Sequence, residues 1–427
     1  MQAIRDLSPI AALTRAAVLA LAVIAAPVIA LAEPEESAFE VVTQSPEPRL
    51  SFSGRFETDA LALFAEDDGQ HYGFRSTLRL RASHDAADWL SFTAEAELHA
   101  RDGVGWAPGY LEASGMPPAL ARQGGAPRRE FELDYLYADI AAGPLDIRIG
   151  RQPIAWGSAY AFNPTDIGNP TSLAELTGIE PPGLTAVHAG LMLSDALSIE
   201  GYLGFEDRSR SLGPGSDLDR PGDLPFALRL RGFAGAWDYG IGFGRAVEQT
   251  AAGLARDDAL LAEVAGPVGP VDTYGELRLG LGDGDQPLAR RLDLAIGARY
   301  ETEGGLGLQA EYHRRGGGAT GPGGYDPQDL LARRLAGRDY AVLVIDRSWM
   351  NDRLRGSIAG IVNINDRSFT LAPELDYELS EDVFLGLGAQ LFGGASDSEF
   401  GGGFTAPGGT SLNLNRPVVR ATATVHF

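Results

Sequence analysis

The chain closes with Arg416-Pro-Val-Val-Arg-Ala-Thr-Ala-Thr-Val-His-Phe427, and the reading of this stretch decides the fold. From Val419 onward it alternates. Val419, Ala421, Ala423, Val425 and Phe427 fall on one side of an extended strand, and Arg420, Thr422, Thr424 and His426 on the other. One apolar face and one face of polar residues suit a wall between lipid and water. They also suit the last strand of a soluble β domain, so the choice rests on the remaining sequence.

Working back from that end, period-two patterning recurs along the chain. It predicts strands over Leu50 to Ala60, Tyr72 to Ser83, Leu90 to Ala100, Phe131 to Ala141, Leu145 to Ala155 and Leu184 to Leu193. It predicts further strands over Leu197 to Phe205, Phe226 to Phe233, Trp237 to Val247, Leu260 to Val268, Val271 to Leu281 and Leu292 to Glu301. Leu306 to His313, Tyr340 to Ser348, Leu354 to Asn363, Phe369 to Leu379, Val383 to Phe392 and the closing stretch complete the set. Pro373, inside one of these, removes a ladder hydrogen bond. The apolar phase is Leu, Val, Ile, Ala, Phe and Tyr. The opposite phase carries Arg55, Arg75, Arg79, Arg81, Glu95, Glu97, Arg148, Arg229, Arg231, Glu276, Arg278 and Arg299. Arg residues of the second strand lie beside acids of the third, which predicts cross-strand ion pairs.

Connection lengths alternate. The long polar stretches Arg101 to Glu130, Trp156 to Gly183, Asp207 to Pro225, Glu248 to Ala259, Arg314 to Asp339 and Gly393 to Arg416 come after odd strands, and tight turns come after even ones. Transmembrane antiparallel β-barrels have this arrangement, with short periplasmic turns and long extracellular loops. Omitting the weak stretch Leu260 to Val268 breaks the parity, which favours eighteen strands over the alternative of sixteen. Closure is then physically required, because unpaired backbone groups in hydrocarbon cost several kcal/mol each. No repeat of ~20 to 50 residues points to a propeller or solenoid.

The N-terminus agrees with a membrane destination. Residues 1–32 carry Arg5 and Arg15, an apolar run and Ala30-Leu31-Ala32, the pattern of a cleaved secretory signal. Residues 33–48 read as a flexible periplasmic lead-in, leaving 49–427 for the barrel. Beyond Ala32 no apolar run approaches the ~20 residues of a membrane helix, so a spanning structure must use strands. The chain has no Cys, which excludes a disulfide framework and a lipid-modified cysteine. All 35 basic residues are Arg, and the net charge of −23 argues against nucleic acid as a partner.

The terminal aromatic on its alternating strand, Val425 to Phe427, resembles the C-terminal signal of Gram-negative outer-membrane β-barrels. That resemblance implies recognition by the barrel-assembly machinery and a setting of outer-membrane lipid and lipopolysaccharide. A second stretch runs from Arg148 through Gly150, Arg151, Gln152, Trp156 and Gly157 to Asn163, Pro164, Thr165, Asp166, Asn169 and Pro170. Its Asn-Pro pairs pin turns, and Ser172 with Glu175 suits a capped helical turn. It resembles a segment of outer-membrane porin-like proteins, and the strand count resembles that of the alginate-export barrels. The expectation is that Trp156 to Gly183 folds inward and narrows a water-filled lumen.

Enzymatic readings have less support. His71, His84, His99, His188, His313 and His426 show no metal-ligand spacing, and no nucleophile elbow or phosphate loop occurs. A barrel hydrolase requires His99 or His313 within reach of a nucleophile. Acidic loops such as Glu66-Asp67-Asp68 read as solvated charge, and no metal or other cofactor is expected. The sequence therefore predicts a channel for small hydrophilic or charged solutes, with export of an acidic exopolysaccharide and a membrane hydrolase as alternatives.

Overall fold

The computed structural model describes residues 50–65, 69–122, 127–168, 182–206, 221–250, 253–282, 285–331, 333–405 and 411–427. The predicted signal and lead-in, Glu66-Asp67-Asp68, Asn169, Pro170, Ser172 and Glu175 lie outside these residues. The strands are β1 (Leu50–Ala65), β2 (Gly69–Ala87), β3 (Leu90–Gly103), β4 (Arg129–Ala142), β5 (Leu145–Gln152), β6 (Leu184–Ser194) and β7 (Leu197–Gly204). Next come β8 (Phe226–Ala234), β9 (Trp237–Thr250), β10 (Gly253–Val268), β11 (Val271–Gly280), β12 (Leu292–Glu301) and β13 (Leu306–Arg314). The last are β14 (Asp339–Trp349), β15 (Leu354–Asn363), β16 (Phe369–Ser380), β17 (Val383–Gly393), a small hairpin of β18 (Phe404–Thr405) and β19 (Ser411–Leu412), and β20 (Val418–His426).

Eighteen of these strands form one antiparallel sheet in which sequence neighbours pair. β20 pairs with both β17 and β1, so the sheet closes on itself. The sixteen-strand alternative is thereby overturned, because the weak stretch is the full-length strand β10, paired on both sides. No described helix is long and apolar enough to cross a membrane.

Local chemistry explains where the strands depart from the predicted limits. β5 stops at Gln152, short of Ala155, because Pro153 has no N–H for the ladder. The predicted loop Glu248 to Ala259 is corrected to a strand hairpin: β9 and β10 run on, and Arg245 of β9 clasps its register partner Asp258 at 2.6 Å. Pro373 keeps its place opposite Ile358 of β15, while pairing with β17 lapses between Leu371 and Glu374. The missing donor thus falls on one side of the strand only.

Apolar side chains point outward, among them Phe52, Phe74, Leu98, Ile149, Leu228, Ile241, Ile296, Leu343 and Leu387, all exposed. Trp89, Trp237 and Trp349 are exposed beside the short turns, as interfacial aromatics are in membrane barrels. One sector breaks the alternation. Tyr340, Val342 and Val344 of β14 and Ile361 of β15 face inward and are buried, although Leu343 and Ile345 of the opposite phase face out. A wall apolar on both faces must be covered from inside.

The closing seam is tight. Gly54 and Phe427 exchange backbone hydrogen bonds of 2.7 and 3.0 Å, and a Cβ on Gly54 would stand 2.3 Å from the Phe427 ring. Replacing Gly54 by Val must therefore turn the terminal ring aside, and because that ring is the end of an exposed side chain the cost is about 1 kcal/mol, the low end for overpacking. The expected result is a lower temperature for conversion of the folded to the unfolded electrophoretic band. An unchanged conversion temperature would show that the seam does not need this contact.

Candidate functional site

Most of the predicted lumen charges are paired. Arg75 meets Asp59 at 2.7 Å, Arg79 meets Glu97 at 2.5 Å and Glu95 at 3.3 Å, and Arg148 meets Asp139 at 2.6 Å. Arg229 bridges Glu200 and Glu263, both at 2.9 Å. Arg278 joins Asp293 and Asp257, and Arg299 holds Asp346 at 2.9 Å. Arg55 and Arg231 make no ion pair among the described residues, and Arg81 approaches Glu95 only to 3.9 Å. The cross-strand pairing read from the sequence therefore describes the majority; two of the predicted guanidiniums stand outside it among the described residues and Arg81 is loosely held.

Glu95, Glu97 and Asp134 converge within 4.8 Å, a spacing that suits a cation, but Arg79 already lies on two of them. His99 has Nδ1 3.1 Å from Thr77 Oγ1 and Nε2 3.1 Å from Glu97. That order resembles a nucleophile–base–acid relay, but Thr77 and His99 are direct cross-strand partners and Arg79 occupies the same Glu97. The contact is a satisfied ladder pair.

The segment after β5 is the distinctive feature of the interior. Gln152, 1 % exposed, donates from Nε2 to the Ala186 carbonyl at 2.9 Å, and Arg151 holds Glu206 at 3.0 Å. These residues and Gly150, expected in the constriction, instead fix the strand exit. Trp156 then packs edge-on against Tyr202 of β7, with the Arg229 guanidinium 4.3 Å above its ring. Gly157 has φ +110°, and a Cβ there would come within 2.5 Å of a Glu276 oxygen, so the backbone lies directly on that carboxylate.

Two acids fasten the next stretch, 158–165. Glu276 of β11, 1 % exposed, accepts from the amides of Ser158, Ala159 (2.6 Å) and Thr165 (3.1 Å), and from Thr165 Oγ1 (2.7 Å). Glu311 of β13, 4 % exposed, accepts from the amides of Tyr160, Ala161 and Phe162 at 3.0, 3.1 and 3.2 Å, and from Tyr274 OH at 2.8 Å. The segment thus starts at β5 and reaches β13, eight steps round an eighteen-strand ring, so it crosses the interior. Phe162 packs on His313 at 4.9 Å and joins the cluster of Tyr340, Val342, Val344 and Ile361. This is the cover that the two-sided apolar wall requires.

Asn163, Pro164, Thr165 and Asp166 make the return turn, in which Asp166 N donates to Asn163 O at 3.1 Å and Ile167 N to Thr165 O. Ile167 goes back under cover beside Trp156. Tyr160 alone among residues 159–162 is exposed, at 52 %.

Glu276, expected to line water, is instead sealed beneath the segment, and Glu311 was not singled out in the sequence. Both were visible as inward-phase acids. Their role was not, because it depends on amides more than a hundred residues away in the chain.

No protein-family model matches the sequence, and no curated protein is significantly similar to it. Solved structures do resemble the barrel. Acinetobacter baumannii OccAB1 superposes with a TM-score of 0.54 at 10% identity, covering 88% of this chain and 96% of that one. The fold is that of an outer-membrane porin. A. baumannii OccAB4 gives the same TM-score at 9% identity, covering 88% and 98% of the two chains. Pseudomonas aeruginosa OccK5 (OpdH) gives 0.51 at 10% identity, covering 88% and 97%. At these identities the porin likeness concerns architecture alone.

Substituting Glu276 or Glu311 by Ala strands three amides apiece. Each buried amide left unpaired costs about 1–3 kcal/mol, so the fastening fails before the barrel does. Hydrogen exchange should accelerate at 158–165 by at least tenfold while β1–β4 stay protected; the relevant scale is ~1.4 kcal/mol per factor of ten. Uniform exchange across the chain, or none gained, would contradict the fastening role.

Proposed function

We propose that this chain is a passive outer-membrane channel for small hydrophilic or charged solutes. The carrying observation is the segment tied across the interior by Glu276 and Glu311, with Tyr160 exposed on it; in this reading solutes pass between Tyr160 and the charged wall of β20 and β1–β4. In a site partly shielded from water, fixed charges act on a passing solute more strongly than in bulk. The long-connection end faces the cell exterior and the short turns face the periplasm in this reading. Assembly then proceeds through the closing strand, with Val425 and Phe427 as the signal, into lipid and lipopolysaccharide.

Ion preference is assigned to Arg55 and Arg231, which have no ion pair among the described residues, and to Arg81, whose contact with Glu95 is long at 3.9 Å. Ion pairs such as Arg79 with Glu97 or Arg299 with Asp346 contribute little net field. Export of an acidic exopolysaccharide calls for a continuous basic track, which the alternation of Arg with Asp and Glu opposes. The likeness to alginate-export barrels rests on sequence features only.

Planar-bilayer recordings test both parts. Wild-type protein should conduct in small steps, and the Glu276→Ala/Glu311→Ala double variant in steps about twofold or more larger, because it frees the lumen from its cross-member. A protein that inserts but never conducts would refute the channel. In a salt gradient, Arg55→Gln/Arg81→Gln/Arg231→Gln should move the reversal potential towards cations, whereas Arg79→Gln with Glu97→Gln should leave it nearly fixed. The opposite ranking would place selectivity in the paired ladder.

A further inference from the structure

The two mouths of the barrel use their acids differently. At the long-connection mouth guanidiniums hold them: Arg101 meets Glu130 and Arg128 meets Asp102, both at 2.7 Å, while Arg245 holds Asp258 at 2.6 Å. Arg314 takes Asp339 at 3.0 Å and Arg334 takes Glu248 at 3.1 Å. Asp285 and Asp397 are exposed there with no ion pair among the described residues. Deeper in the lumen the wall is balanced in the same way, as in Arg79 with Glu97 and Arg299 with Asp346.

The short-turn mouth is the reverse. Each of the eight described short turns carries an exposed carboxylate in the turn or within three residues of it. Asp85, Asp146, Asp272 and Glu301 share the inward phase of Arg81, Arg148, Glu276 and Arg299 on the same strands, and Asp238 stands opposite Ala265 in the phase of Glu263. Asp195, Asp352 and Asp382 lie in the remaining turns themselves. None of the eight has an ion pair among the described residues. Of the guanidiniums at this end, Arg353 is spent on the carbonyls of Glu378 and Leu379 at 3.1 and 3.2 Å, and Arg347 turns to the Trp349 ring. Arg231 and Arg355 offset part of the charge, and the further exposed acids Asp88, Glu303 and Glu381 more than replace it.

We propose that this ring of fixed negative charge makes conduction polar, with more current when the short-turn side is positive. The inference rests on the channel reading and adds a direction to it. Carboxylates around an aqueous mouth gather cations and hold anions back over about a Debye length, ~30 Å at 0.01 M salt and ~3 Å at 1 M. With the short-turn side positive, cations pass the ring into the lumen, and anions entering from the other mouth are stopped behind it. Both accumulate, and the lumen conducts well. With the voltage reversed, cations leave through the ring and anions cannot enter there to replace those that depart, so the lumen is depleted. The guanidiniums of the wall set which ion is preferred, and the ring sets the direction of easier flow.

Two measurements test this. The chain has no Cys, so a thiol introduced on an exposed residue is unique: Ala236→Cys in the turn between β8 and β9, or Thr320→Cys in the connection after β13. In the full chain folded in detergent at ~0.01 M salt, the ratio of reaction rates with a cationic and an anionic methanethiosulfonate should be about fivefold or more higher at position 236 than at 320, and the two should converge at ~1 M. Equal ratios at low salt would overturn the ring. In planar bilayers at ~0.01 M salt, current with the short-turn side positive should exceed the reverse by about twofold. Orientation is read from the side on which a membrane-impermeant reagent attacks the Ala236→Cys thiol. Neutralising the five lumen-facing rim acids (D85N, D146N, D238N, D272N and E301Q) should make the current symmetric in a protein that still runs as a folded barrel, and R245Q with D258N at the other mouth should not. Symmetric wild-type current at low salt, asymmetry that persists at ~1 M, or asymmetry untouched by the rim substitutions would each overturn the proposal. A protein that shows the rim field and inserts but never conducts would fail the channel reading and leave the ring standing.

Discussion

Every backbone amide that enters hydrocarbon needs a partner, and that constraint organises this molecule from its last residue inward. The ring satisfies it strand by strand, and among the described strands the seam that joins distant parts of the sequence is β20 against β1. Gly54 and Phe427 show how little room that seam leaves. Pro373 shows how the constraint is met when a donor is missing: the break faces one neighbour and pairing continues with the other.

Inside the ring a second problem arises, since a segment that leaves the wall takes its own amides away from water. Glu276 and Glu311 answer it by gathering consecutive amides onto buried carboxylates, and each buried charge is in turn satisfied by four donors. The segment is thereby a structural cross-member and not a surface loop. The same device recurs at the mouth, where Glu399 gathers the Ala336 amide, Tyr340 OH and Asn363 Nδ2 and so fastens two connections to the barrel. Paired charges build much of the wall.

Much of this was legible in the residues. Period-two alternation located all eighteen barrel strands, because only one side-chain phase can face lipid, and loop parity restored β10. The Gly-Arg-Gln stretch was visible as special, but its task was misplaced: Gln152 and Arg151 secure the strand exit, and Trp156 to Asp166 do the crossing. Tyr340-Ala-Val-Leu-Val344 also carried an unread signal, since a strand apolar in both phases announces a cover on its inner face.

The sequence by itself determined the ring, its strand number, its lipid face and the residues facing in, because each comes from local periodicity and the energetics of an unpaired backbone. Only the tertiary structure decided which inward charges are free and which are spent. That question turns on contacts between strands and loops far apart in the chain, and an alternating pattern reads the same whether a carboxylate meets water, a guanidinium or the amides of a crossing segment.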